Sequence, residues 1–204
     1  LAGRSTLPLL SHSLAFFFFF FFSLSLARWL YLPPSSYSEM TNARLSNIQM
    51  GVTSIVASRY LCARRLGEGA FGKVYEVVDL KRKGSPHLAL KAELLGAEDN
   101  RESLRMEAYV LRRLASLHAE HAVKLHAIGR ERNFNYVVMT LLSYSLADIR
   151  RRLPGEIFSL PSTLRVGLQA LAAIGELHNA GFVHRDIKPP NFAFGKDRQL
   201  QKLF

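Results

Sequence analysis

From about residue 59 onward, short apolar runs give way to longer stretches with helical spacing. Residues 71–78, 88–91 and 136–139 are rich in Val, Leu, Phe and Tyr, which predicts strands. Residues 100–117 set Leu104, Ala108, Leu111 and Leu114 at four- and three-residue intervals, which predicts an amphipathic helix. Residues 162–179 repeat that spacing with Leu164, Leu168, Leu171, Ile174 and Leu177, and Gly181 follows as a stop signal. No internal repeat is present. Strands first and helix later predict an α+β chain with two lobes.

The first fifty residues follow another pattern. They are almost free of charge and carry LAFFFFFFFSLSLARWLYLPP, so residues 1–58 are set apart as an apolar, low-complexity segment and residues 59–204 as the folded domain. Three readings of the segment stand. As a signal peptide it has a basic Arg4, an apolar centre and Ala27 as a small residue, a loose match. As a membrane span it approaches the required length of about 20 apolar residues, but Ser23, Ser25 and Arg28 interrupt it. As a translated non-coding stretch it explains the leading Leu1 and the run of Phe, with Met40 or Met50 as the start; this third reading is favoured. Met50-Gly51 lacks the Ser or Thr that a myristoylation motif wants, since Ile55 stands there.

Charge and cysteine content narrow the classes. A hydrophobic fraction of 49% argues against disorder throughout. The net charge is +11, with clusters at Arg64-Arg65, Lys81-Arg82-Lys83, Arg112-Arg113 and Arg150-Arg151-Arg152. Such clusters are usually solvated faces, and otherwise favour anionic partners. No aromatic-rich RNA-binding signature accompanies them, so nucleic acid is not expected as a partner. The single Cys62 permits no intrachain disulfide, which suits a reducing compartment, cytoplasmic or nuclear. Neither C-x-x-C nor H-E-x-x-H occurs, so no metal site built by the protein alone is expected.

Chemistry begins at GEGAFGKV, where Gly67, Gly69 and Gly72 form G-x-G-x-x-G. Dinucleotide-binding folds share this spacing, but their glycines open a helix. Here the following KVYEVV is strand-like, so the glycines form the tip of a hairpin over a nucleotide. Bare backbone lets such a loop approach phosphates. Leu66, Gly67, Gly69, Phe71, Gly72 and Val74 are its candidate nucleotide-facing residues, with Val74 as an apolar wall against the base. Lys91, nineteen residues after Gly72 in the strand LALKAE, can hold the α- and β-phosphates, with Ala89 beside the adenine. A carboxylate must orient that lysine, and Glu107 is preferred over Glu102 because it lies centrally in the helix.

His184-Arg185-Asp186-Ile187-Lys188-Pro189-Pro190-Asn191 fits H-R-D-x-K-x-x-N. Asp186 can orient an attacking hydroxyl and take its proton late. Lys188 can neutralise charge on a phosphoryl group in flight. Asn191 supplies a hard oxygen for Mg2+. His184 and Arg185 read as scaffold.

Glycine loop, lysine, helix glutamate and this loop stand in the order found in eukaryotic protein kinases, which residues 59–204 resemble. LALKAE, FNYVVMTLLSYSLADIRR and GFVHRDIKPPNFAFG are similar to the casein kinase 1 superfamily, and most similar to its tau-tubulin kinase branch. The resemblance implies a bilobal protein-kinase-like fold: a complete small β-rich lobe and the beginning of the helical large lobe. It implies ATP and Mg2+ as cofactors, Met139 as gatekeeper and Leu142 as the hinge residue meeting adenine. It also implies protein substrates with Ser or Thr acceptors, since a lysine follows the catalytic aspartate by two residues. The basic surface favours acidic or already phosphorylated acceptors.

Thirteen residues follow Asn191, and no D-F-G occurs among them. That motif's aspartate holds the principal magnesium in the family, so a second metal ligand is expected beyond Phe204 and the 204 residues alone are expected to be inactive. Three hypotheses follow: the N-terminal portion of an active Ser/Thr kinase, a truncated module that binds nucleotide or a partner without catalysis, and a kinase tethered to membrane by the Phe run. A reading frame continuing into D-F-G supports the first, and a genuine stop the second. Fractionation of cells expressing the chain with and without residues 1–39 tests the third; equal solubility would sink the anchor.

Overall fold

The structure is a computed structural model that describes Met50 and residues 53–69, 72–95, 103–196 and 201–204. Six strands form one antiparallel sheet: β1 (Ile55–Val56), β2 (Tyr60–Gly69), β3 (Gly72–Asp79), β4 (His87–Leu94), β5 (Leu125–Arg130) and β6 (Phe134–Thr140). Their order in the sheet is β1-β2-β3-β4-β6-β5. The predicted strands at 71–78, 88–91 and 136–139 are β3, β4 and β6; β3 is displaced by one residue, β4 and β6 extend beyond the apolar runs that marked them, and Phe71 lies outside the described residues.

Alternation gives the sheet two faces with different duties. Tyr75, Val77, Leu88, Leu90, Ala92, Tyr136 and Val138 form one core, closed by Val56, Tyr60 and Cys62 of the curled sheet end. The opposite face carries Val137, on which Leu104 and Ala108 of α1 (Ser103–Ser116) pack. This helix was expected over 100–117; its first three expected residues lie outside the described ones. Its Val110 and Leu114 pack against Leu177, Ala180 and Phe182. One amphipathic helix thus joins the sheet to the beginning of the second lobe.

That second lobe contains α2 (Leu146–Arg150) and α3 (Leu160–Asn179). Ser145 and Asp148 form a reciprocal capping box at the start of α2. Ser159 caps α3, which begins two residues before the expected 162. Gly181, at φ 90°, follows its end in the left-handed conformation that glycine adopts without strain. Glu176 of α3 accepts the backbone N–H groups of Glu120 and His121 at 2.9 and 2.8 Å, fixing the lobes to each other behind α1.

The stripe of α3 is divided. Leu177 is buried, whereas Leu160, Leu164, Leu168 and Leu171 are exposed. Together with Ile157 they make an exposed apolar patch. Among the described residues, no helix is long and apolar enough to cross a membrane.

Two of the four basic clusters find partners within the fold. Arg64 meets Glu76 at 2.7 Å, Arg65 meets Glu68 at 2.7 Å, and Arg151 meets Asp148 at 2.6 Å. Arg152 lies 3.6 Å above the Tyr144 ring. Arg59 grips the buried Asp79 through two bonds of 2.8 Å and, chiefly by those bonds, holds its carboxyl below the usual range.

Two leucines with opposite exposure test the packing. Leu90→Ala opens a cavity in the sheet core and should cost about 2–5 kcal/mol in urea unfolding. Leu168→Gln, on the exposed stripe, should stay within about 0.5 kcal/mol. Similar losses from both would contradict this division.

Candidate functional site

The glycine sequence makes a hairpin, as expected from the strand that follows it. Gly67 pairs with Val74, Glu68 with Lys73, and Gly69 with Gly72, the tip itself lying outside the described residues. Gly72 is needed for a local reason: a Cβ there would collide with the Ala92 carbonyl oxygen of β4. The root of the hairpin therefore rests directly on the strand that carries the lysine.

Cross-strand register assembles the rest of this surface. Val74 of β3, Lys91 of β4 and Val137 of β6 lie in one row; Glu76, Ala89 and Met139 lie in the next. Cross-strand partners share a face, so the predicted wall residue, lysine, adenine-flanking alanine and gatekeeper stand together on the side covered by α1. Leu66 is on the same hairpin and partly exposed.

Lys91 Nζ meets Glu107 Oε2 at 2.6 Å. Glu107 was the preferred partner, and the structure joins it to Lys91; the competitor Glu102 lies outside the described residues. The helix achieves this by placing Leu104 and Ala108 on the sheet, which turns the intervening Glu107 inward. Glu107 is 5% exposed. Burial by itself would lower the lysine pKa, but Glu107 and then Glu93 overcome it, and the ammonium is held above its ordinary value.

Glu93 was not anticipated. It is 1% exposed and its Oε1 lies 3.4 Å from Lys91 Nζ. The available signal was its position two residues after Lys91 on a strand, which puts both side chains on one face.

Beyond β6 the chain runs extended. Thr140 donates its N–H to Lys124 O at 3.0 Å, and Ser143 donates to Phe194 O at 2.8 Å. Between them, the Leu142 backbone has no hydrogen-bond partner among the described residues. An unpaired edge of backbone beside Met139 suits recognition of the polar edge of a heterocycle.

The H-R-D loop converges on one carboxylate. Lys188 Nζ lies 2.8 Å from Asp186 Oδ2, and Asn191 Nδ2 donates to the same oxygen at 3.0 Å and to Asp186 O at 2.7 Å. A short 3-10 turn, Pro189–Asn191, brings Asn191 back to the aspartate. Burial pushes the Asp186 pKa upward, but the bonds from Lys188 and Asn191 outweigh it and hold it below the usual carboxylate value. Arg185 adopts φ 65°, an uncommon conformation for a non-glycine residue that here accompanies the reversal of the loop. The Asp186 N–H donates to His184 Nδ1 at 3.2 Å, so His184 serves as scaffold.

Metal-binding capacity is limited. Among the described residues, no group of three or more His, Cys, Asp or Glu side chains could hold an ion. With its amide nitrogen committed to Asp186, Asn191 offers its amide oxygen, a donor that fits magnesium as one ligand among several.

Comparison with known proteins agrees with this geometry. The family model for the protein kinase domain matches residues 60–203. A Dictyostelium discoideum protein named as a serine/threonine-protein kinase is 32% identical over 151 residues, 74% of this chain and 29% of that protein. A Caenorhabditis elegans protein named in the same way is 36% identical over 144 residues, 71% of this chain and 40% of the other. Another from that organism, named as a casein kinase I, is 30% identical over 168 residues, 82% and 48% of the two chains. The chain thus spans less than half the length of these relatives. The family match runs from the first long strand to the last described residues, and it encloses both the Lys91–Glu107 pair and the loop around Asp186: the chain belongs to the protein kinase family.

Proposed function

We propose that the chain is the ATP-binding and proton-accepting portion of a serine/threonine protein kinase of the casein kinase 1 superfamily, closest to its tau-tubulin kinase branch. The observation that carries this reading is the convergence of Lys188 and Asn191 on Asp186, at 2.8 and 3.0 Å. An ionised aspartate, held by a lysine two positions on, is the arrangement needed to orient a serine or threonine hydroxyl and receive its proton.

The surface around Lys91 complements it. Ala89, Val74 and Met139 would flank adenine, and the Leu142 backbone would meet its polar edge. Lys91, held charged by two carboxylates, would bind the α- and β-phosphates. Magnesium, when bound with ATP, supplies charge neutralisation at the phosphates, and Asn191 would be this chain's ligand to it. Asp186 accepts the hydrogen bond of the incoming hydroxyl, which places the oxygen for attack and gives its proton a destination. Lys188 is near enough to exchange its bond with Asp186 for one to the phosphoryl group, offsetting charge as transfer proceeds.

Acidic or already phosphorylated segments are the acceptors that the surplus of basic residues favours. Catalysis needs a further acidic metal ligand, supplied in this family by D-F-G, which the 204 residues do not contain. The whole protein should therefore transfer phosphate to Ser/Thr peptides with Mg-ATP, and these 204 residues should not. Labelled ATP with casein as acceptor measures both; transfer by the 204 residues would contradict the need for that ligand. In the whole protein, Asp186→Asn should lower kcat by about 100-fold or more with the fold intact. Undiminished activity would remove Asp186 from the mechanism.

A further inference from the structure

Among the described residues, Lys91 has two carboxylate partners of different kinds. Glu107 comes from α1, and its 2.6 Å contact depends on Leu104 and Ala108 keeping that helix seated on Val137. Glu93 comes from β4 itself, two residues from Lys91, and its 3.4 Å separation is set by the strand backbone. The strand is held on both sides: Lys73 pairs with Ala92, and Ala92 with Tyr136. Gly72 lets β3 press onto the Ala92 carbonyl beside the Glu93 side chain, whose Cγ would lie only 3.0 Å from a Cβ at residue 72.

Burying a carboxylate at 1% exposure is costly unless a cation or donors compensate it. Within its own row Val74 and Val137 stand on either side of Lys91, and Glu76 of the next row is engaged by Arg64 and His87 at 2.7 Å each. Among the described residues, the carboxylates that raise the Lys91 pKa are Glu107 from the helix and Glu93 from its own strand.

We propose that Glu93 is a second positioning residue for Lys91, a strand-borne carboxylate that keeps the ammonium charged and in the site independently of how firmly α1 is seated. Glu107 then adds aim and strength when the helix is docked, while Glu93 provides a constant hold. The inference deepens the nucleotide reading of Lys91 and rests on it for its purpose, though not for its geometry.

Competitive acetylation of the 204-residue chain with trace acetic anhydride, read peptide by peptide by mass spectrometry, reports the neutral fraction of each lysine. The exposed Lys124 is the internal reference. At fixed mildly alkaline pH, Glu93→Gln should raise Lys91 labelling relative to Lys124 by about tenfold or more, because an opposite charge at this range strongly favours the ammonium. Glu107→Gln should raise it too, and the double variant should exceed both. Unchanged Lys91 labelling in Glu93→Gln, with Glu107→Gln effective, would overturn the proposal. Should Glu93→Gln fail to fold, seen as uniformly fast labelling of every lysine, Glu93→Asp decides by the same ratio. Retracting the carboxylate by one methylene should raise Lys91 labelling selectively, and no change would refute the role. Protection of Lys91 by ADP in the unaltered chain is scored separately. Its absence would count against the nucleotide reading while leaving a positive Glu93 effect in place.

Discussion

The ion pair between Lys91 and Glu107 is the constraint on which the other features depend. It requires β4 to present a lysine on the same face as Ala89, and α1 to turn Glu107 toward that face. It also requires a covering that keeps water from weakening the attraction, since charges at this distance interact far more strongly away from solvent. The two apolar ends of α1 meet these requirements together. Leu104 and Ala108 grip the sheet, and Val110 and Leu114 grip the second lobe. A helix held at both ends sets the lysine relative to the lobe that carries Asp186. Breaking such a pair from one side leaves a buried charge without its partner, usually a heavier loss than the pair's net contribution.

Sequence patterning revealed the strands that are buried on both faces. β3, β4 and β6 are flanked by strands on both sides and covered on both faces, so their apolar residues stand in short runs. β2 and β5 were missed because their alternation is broken. β2 has irregular register between Cys62 and Arg64 and again between Arg65 and Gly67, and β5 between Leu125 and Ala127. Each irregularity shifts the following side chains to the other face, which erases the pattern from a linear reading. α2 has five residues, too few for helical periodicity, although the Ser145–Asp148 spacing was a visible cap signal.

The site was more legible than the fold around it. The lysine, the helix glutamate and the H-R-D loop are each fixed by chemistry that accepts few residue types, and the structure places Glu107 beside Lys91 and Asn191 beside Asp186. Glu93 escaped notice because an acidic residue near a strand end normally faces water. Only the packing of α1 and the hairpin over that face buries it. The basic clusters show a similar limit: Arg64, Arg65 and Arg151 each pair with a carboxylate supplied by the fold. A charge's partner is a tertiary property, which linear sequence does not show.

The central claim is that the face carrying Lys91 binds the phosphates of a nucleotide and that its ammonium does the holding. Equilibrium titration of a fluorescent ATP analogue into this chain and into its Lys91→Met variant tests it most directly. Saturable binding to the unaltered chain, weakened about tenfold or more in the variant, is the result expected for losing a charge-assisted contact worth about 1.5–3 kcal/mol. Equal affinity in the two chains would contradict it.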